Sequence, residues 1–194
     1  MRVMGVDPGN AVTGFGIVER QRDLRYITAG TVRTAAIIRG PGRLAAIYKR
    51  LLEVIDEHAP GALSLERSFV AANVQSAFKL GEARAMAMLA AAHRGLALFE
   101  YTPNDVKLSV AGHGHAGKTQ VKDMVRRTLA LDESVALADD AADALALALC
   151  HLFRSKFPQP TARRANSLMR RPVNAATGFA RPIGFGRPIG SGRQ

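Results

Sequence analysis

Four carboxylates constrain this chain more than any other feature. Asp7, Glu66, Asp140 and Asp143 each stand beside a strongly apolar segment, where a secondary element ends or begins. A fold that gathers them at the edge of one core brings like charges together, and some would take up protons unless a cation neutralised them. Mg²⁺ is the ordinary cation for clustered oxygen ligands. Two such ions about 4 Å apart form the common arrangement for in-line displacement at a phosphodiester. The remainder of the chain is basic, with a net charge of +11 over 194 residues.

That charge is unevenly spread. Residues 158–194 carry seven Arg, no Lys and no acid, which leaves 20 basic and 16 acidic side chains in residues 1–157. A folded part of that size buries about 70% of its unfolded-chain surface, enough for one real core. Beyond Phe157 the composition turns to Pro, Gly, Arg and Ala, with an imperfect repeat, RPIGFG at Arg181–Gly186 and RPIGSG at Arg187–Gly192. Such a segment buries too little apolar area to offset its ordering entropy and reads as a disordered basic arm. Cys150, the single cysteine, permits no internal disulfide and fits a reducing cytoplasm. Asp7 breaks the N-terminal apolar run, so no signal-peptide pattern opens the chain, and no apolar run reaches membrane-span length. These features point to a soluble, cytoplasmic nucleic-acid enzyme.

Periodicity gives the order of elements. Val3–Asp7, Thr13–Arg20 and Leu24–Arg33 read as three strands joined by short turns, an antiparallel meander. Leu44, Ile47, Tyr48, Leu51 and Ile55 recur at helical spacing. Ala62–Leu65 reads as a short buried strand that delivers Glu66. A long helix is expected over Asn73–His93, with Val74, Ala77, Phe78, Ala85, Met88, Leu89 and Ala92 turned inward. Leu96–Tyr101 is a fifth strand. In Thr102-Pro103-Asn104-Asp105, Thr caps a helix, Pro takes its first position and Asp faces its dipole. Further helices are expected near Thr119–Ala130 and Asp140–Phe153. The result is an α/β fold: a mixed five-stranded sheet with helices on both faces and strands one, four and five parallel. Ligands on such sheets bind outside the carboxyl ends of parallel strands, where Asp7 and Glu66 fall.

Each acid has a plainer reading. Asp7 in GVDPGN could be a turn residue, Glu66 in LSLERSF a strand-end charge, and Asp140 a helix-start acid favoured by the macrodipole. Asp143 fits that explanation less well, since it lies past the first turn and shares a face with Asp140 at i and i+3. All four together favour a site. The loop Gly112–Thr119, GHGHAGKT, fits the phosphate-binding pattern G-x-x-x-x-G-K-[ST] at every fixed position. A P-loop needs a strand before it, whereas Thr102–Asp105 favours a helix there, and the P-loop would leave Asp7 and Glu66 without a role. Lys118 is better read as touching a nucleic-acid phosphate. His113 and His115 have no Cys or third His nearby in sequence, which argues against Zn²⁺; His115 remains a candidate for assisting proton transfer. Phe69, three residues past Glu66, is a core residue or a wedge that stacks on an exposed base.

Taken in order, GVDPG with Asp7, LSLERSF with Glu66, SAFKLGEARA at Ser76–Ala85, YTPNDVK ending at Lys107, the GHGHAGK loop with Lys118, and DDAADALALAL with Asp140 and Asp143 resemble the RuvC family of Holliday-junction resolvases over about residues 1–155. The resemblance implies a ribonuclease-H-like fold, a homodimer, and Mg²⁺-dependent symmetric nicking of four-way DNA junctions in recombination and repair that leaves 5′-phosphate and 3′-hydroxyl ends. It implies two Mg²⁺ per site, with Mn²⁺ as a substitute, held by Asp7, Glu66, Asp140 and Asp143. It gives Lys107 and Lys118 a place near the scissile phosphate, Phe69 a junction contact, and the RuvA–RuvB branch-migration complex as a partner. Arg67, after Glu66, stands where many members are expected to have Gln, and the tail is longer than the fold needs. The competing readings are another ribonuclease-H-like nuclease acting on RNA–DNA hybrids, and a P-loop or plain DNA-binding module whose acids are structural.

Overall fold

Alternation along the strands decides what each face of the sheet touches. The computed structural model describes residues 1–9, 11–34, 40–67 and 74–155; Phe69 and the arm expected over 158–194 lie outside the described residues. Strands β1 (Arg2–Asp7), β2 (Val12–Arg20) and β3 (Leu24–Arg33) form the expected antiparallel meander. Helix α1 (Pro41–His58) leads to β4 (Ala62–Glu66), and α2 (Val74–His93) leads to β5 (Ala97–Tyr101). Helices α3 (Pro103–Ala111), α4 (Lys118–Thr128) and α5 (Asp139–Arg154) follow. The sheet order is β3-β2-β1-β4-β5, with β4 parallel to both β1 and β5.

In β1, Met4 and Val6 pack with Ile17, Leu63 and Leu65 against Ile47, Leu51 and Ile55 of α1 and the alanines of α2. Val3 faces the other way, into a core with Val18, Ala62, Val125 of α4 and the apolar side of α5. Helices therefore cover both faces. Helix α5 is buried along nearly its whole length, from Ala141 to Leu152 with only Asp143 breaking the run.

Two glycines let α5 approach the sheet. A methyl built on Gly5 would sit 1.9 Å from the Ala144 carbonyl oxygen, and one on Gly14 would sit 1.9 Å from the Asp140 carbonyl oxygen. A side chain at either position would push the helix away from the strands. Between β4 and α5, the Ser64 hydroxyl donates to the Leu147 carbonyl at 2.9 Å.

The expected inward face of α2 is the one substantial correction. Its buried residues are Ala83, Ala87, Ala90 and Ala91. The larger residues lie outside: Val74 is 67%, Phe78 71%, Met88 39% and Leu89 41% exposed, and Ala85 and Ala92 are also exposed. Both stripes are apolar, so periodicity alone selects the bulkier one. Packing selects the smaller one, because small side chains let the helix lie close to α1 and to a sheet face already filled by leucine and methionine. The P-loop reading is also settled locally, since Val106–Val110 lies within α3 and is not a strand.

Replacing Gly5 by Ala should cost about 3 kcal/mol, at the top of the range for overpacked cores, because the methyl meets helix backbone rather than a side chain that can turn. Gly81→Ala, in open space on α2, should instead gain about 0.5–1 kcal/mol. Urea unfolding of the two variants checks both values, and equal effects would show that close approach of α5 is not limiting.

Candidate active site

The period of two that turns Val3 and Gly5 toward α5 turns Asp7 the same way. In β4, Ala62 and Ser64 face α5, and so does Glu66. The two carboxylates thus emerge side by side at the carboxyl ends of adjacent parallel strands, on the face that α5 covers. Asp7 is the register partner of Gly14, the residue under the Asp140 backbone. The open Cβ position at Gly14 therefore sets the start of α5 directly over the end of β1. Asp139 and Asp140 open α5, and Asp143 follows one turn later.

Two basic residues come from the flanking helices. The N-terminus of α3 is fixed by a reciprocal capping box: the Asp105 backbone N–H donates to Thr102 Oγ1 at 3.1 Å, and the Thr102 N–H donates to the Asp105 carboxylate at 3.0 Å. That orients α3 so that Lys107 lines the cleft. Lys118 is the first residue of α4, after the Gly117 cap. Its side chain is 89% exposed, and its ammonium lies 3.9 Å from an Asp143 carboxylate oxygen.

Asp7, Glu66, Asp143, Lys107 and Lys118 line one cleft of about 190 Å³, with Val106, Val121 and Leu147 as its apolar wall. Asp140 is not among its lining residues, but its charge acts on both Asp7 and Asp143. Burial, followed by repulsion from Asp143, Glu66 and Asp140, pushes Asp7 up to about 7; Lys118 pulls against the rise. Burial and then Asp143 raise Glu66, with Lys118 and Arg84 opposing. Burial raises Asp143 as well, and Lys118 is the largest influence in the other direction.

Among the described residues, no three His, Cys, Asp or Glu side chains stand together as a ready-made ligand set. The chemistry of the donors nonetheless suits a hard divalent cation. Burial first, and mutual repulsion after it, raise the three carboxylates of the cleft, and a cation binding there would relieve both. His113 and His115 are exposed on the loop before α4, and a His113 ring nitrogen meets the Gln120 side-chain amide at 3.0 Å.

Two arginines escaped the sequence reading. On the opposite face of the sheet, Arg43 of α1 is buried, donates to the Gly9 carbonyl at 3.1 Å and meets Glu82 at 3.4 Å. Arg84 of α2 donates to the Glu66 carbonyl and pairs with Glu100 of β5. Arg84 lies within the SAFKLGEARA run, so that motif held the signal. Arg43 had none, since an arginine at the start of a helix ordinarily faces solvent.

A five-stranded mixed sheet of this order, with acids at the ends of its central strands and on the helix crossing them, defines a ribonuclease-H-like nuclease. The chain belongs to the RuvC family: the family described as "Crossover junction endodeoxyribonuclease RuvC" matches residues 3–151. A relative of that name from Pelotomaculum thermopropionicum is 48% identical over 152 residues, 78% of this chain and 92% of its own. Another, from Alkalilimnicola ehrlichii, is 44% identical over 169 residues, 86% of this chain and 99% of its own. Among solved structures, T. thermophilus RuvC in complex with a Holliday junction substrate matches with a TM-score of 0.74 at 36% identity, covering 79% of this chain and 93% of that one. The yeast mitochondrial Holliday junction resolvase Ydc2, at 12% identity and a TM-score of 0.50, shares the fold. The protein is an endodeoxyribonuclease of a metal-dependent family.

Asp7 also implies a pH signature. Its folded value, about 7, lies above its ordinary 3.8, so the folded protein binds the extra proton and metal-free stability falls as pH rises between these values. Asp7→Asn removes that loss. In chelator, the variant should be more stable than the parent by about 1–3 kcal/mol near pH 8, with the gap closing toward about pH 4. Thermal melts across that range measure it, and a gap that does not change with pH would contradict the assigned cause.

Proposed function

We propose that this protein resolves four-way (Holliday) DNA junctions by symmetric nicking in homologous recombination and repair, leaving 5′-phosphate and 3′-hydroxyl ends. The observation that carries the reading is the meeting of Asp7, Glu66 and Asp143 with Lys107 and Lys118 in one cleft, in a chain that aligns along most of its length with the T. thermophilus RuvC solved in complex with a Holliday junction substrate. Residues 1–157 form the nuclease domain and 158–194 a basic arm. Asp7, Glu66, Asp140 and Asp143 would hold two Mg²⁺, for which Mn²⁺ would substitute. When bound, the ions supply activation of water and neutralisation of the departing 3′ oxygen.

The chain's own groups do the positioning. Asp7 ends β1, the central strand between β2 and β4, and sets the origin of the site. Lys118, exposed on the first turn of α4, screens charge that develops on the phosphate. Lys107, held by the capped α3, fixes the phosphate from the other wall. Phe69 stacks against an unpaired base at the junction. No described helix is long and apolar enough to cross a membrane, and the reading places the enzyme in the cytoplasm, with the RuvA–RuvB branch-migration complex as a partner.

The decisive test is nicking of a synthetic four-way junction in Mg²⁺, beside duplex and RNA–DNA hybrid controls. Wild-type protein should cut the junction and leave the controls intact. Asp7→Asn should lose cutting while binding the junction nearly as before, since phosphate contacts dominate affinity. Preferential cutting of the hybrid would move the protein to the other ribonuclease-H-like reading.

The outward stripe of α2 supports a homodimer. Phe78, Met88 and Leu89 are exposed apolar side chains on a helix whose other side is already packed, and exposed apolar surface of this kind marks contacts with other chains. A second copy fits the task, because a symmetric junction offers equivalent strands to a two-fold pair of sites. The double variant Phe78→Glu, Leu89→Glu should sediment as a folded monomer where the parent sediments as a dimer. A variant that stays dimeric places the interface elsewhere.

A further inference from the structure

The ladder between β1 and β4 stops at the pair Val6–Leu65, one residue short of Glu66. The end of β4 is therefore held on one side only, by β5, through the Glu66–Tyr101 pairing and the Arg67 N–H donated to the Tyr101 carbonyl at 2.7 Å. On the side of the sheet away from the cleft, the Arg84 guanidinium takes the Glu66 carbonyl with one nitrogen and the Glu100 carboxylate with another. Arg84 is 16% and Glu100 34% exposed at the side chain. Glu100 is the register partner of Leu65, so its carboxylate sits on the strand alongside and steers the guanidinium toward the end of β4.

We infer that Arg84 is a positioning residue for Glu66, fixing the backbone from which that carboxylate reaches the cleft. The inference rests on the nuclease reading of the site and adds a residue that does not itself touch the cleft. The side chain of Glu66 and the contact to its carbonyl lie on opposite faces of the sheet. Arg84 can therefore set the direction of the carboxylate without competing for its oxygens. Both partners of the guanidinium are acceptors on one strand pair, so its planar fork resists rotation of the β4 end about the strand axis in a way that a single-point contact could not. The geometry also separates Arg84 from a phosphate contact, since two of its guanidinium nitrogens are engaged beneath the sheet.

The test uses the full-length protein with Arg84→Gln and Arg84→Lys. Three readouts are taken: junction affinity in chelator, single-turnover nicking across a Mg²⁺ series, and Mn²⁺ binding by calorimetry. Arg84→Gln should bind the junction within about twofold of wild type, need several-fold more Mg²⁺ for half-maximal nicking, and cut at least about 10-fold more slowly at saturating metal, in line with the cost of misplaced catalytic groups. Its Mn²⁺ affinity should fall in parallel. Arg84→Lys retains the charge, with its donors on a single nitrogen instead of a planar fork, and should recover only part of each loss. Should Arg84→Gln fail to fold, Glu100→Gln, which leaves the guanidinium in place but unsteered, should show the same direction of change at smaller size. Unchanged metal dependence in folded variants overturns the inference. So does a loss of junction affinity equal to the loss of rate, which would make Arg84 a DNA contact. Failure of the wild-type protein to cut the junction would instead count against the proposed function, and the Mn²⁺ isotherms would still decide the role of Arg84.

Discussion

The close approach of α5 to β1 and β2 is the contact on which the rest depends. It requires that Gly5 and Gly14 present no side chain, because the Ala144 and Asp140 carbonyls occupy the space a methyl would need. The helix is otherwise a nearly unbroken apolar rod, so burial supplies the attraction while the glycines set the distance. Once that distance is set, Asp140 and Asp143 on the helix and Asp7 and Glu66 on the strands have no freedom to separate. The candidate site follows from a packing decision made on backbone atoms.

The arrangement costs stability in the metal-free protein. Four acids in or beside one cleft, with Asp7 raised to about 7, are tolerated because the hydrophobic layers on both faces of the sheet carry the fold. Lys118 and Arg84 each offset a part of the repulsion felt by Glu66. They act from opposite faces: Lys118 from the solvent side of the cleft, and Arg84 from beneath, where it holds backbone. Electrostatic strain at the rim and rigid packing below it are two aspects of one construction, the common pattern where binding is stabilised at the expense of the empty state.

Helix α2 joins two parts of that construction. Its alanine side lies on the sheet and includes the arm of Arg84, which reaches the carbonyl of Glu66. Its outer side carries exposed Phe78, Met88 and Leu89. A helix apolar on two sides has two surfaces to cover, and the sheet covers only one.

Much of this was legible in the chain. The strands, the order of the helices, the Thr102–Asp105 cap and the carboxylates at element ends follow from periodicity and local chemistry, and these depend on neighbours in sequence. β3 has the bounds its pattern gives, and Asp7 and Glu66 stand at the strand ends the apolar runs imply. What the sequence could not decide was which of two apolar stripes on α2 faces the sheet, since hydrophobicity gives a helix its stripes but not the depth of the surface it must fit. Nor could it reveal that Arg84 and Arg43 turn inward to hold the carbonyls of Glu66 and Gly9, because a carbonyl left without a strand partner exists only after the sheet has formed. The sequence by itself determined the elements and the acidic set. Only the tertiary structure decided which faces meet and which charges are buried, because both depend on distances between segments far apart in the chain.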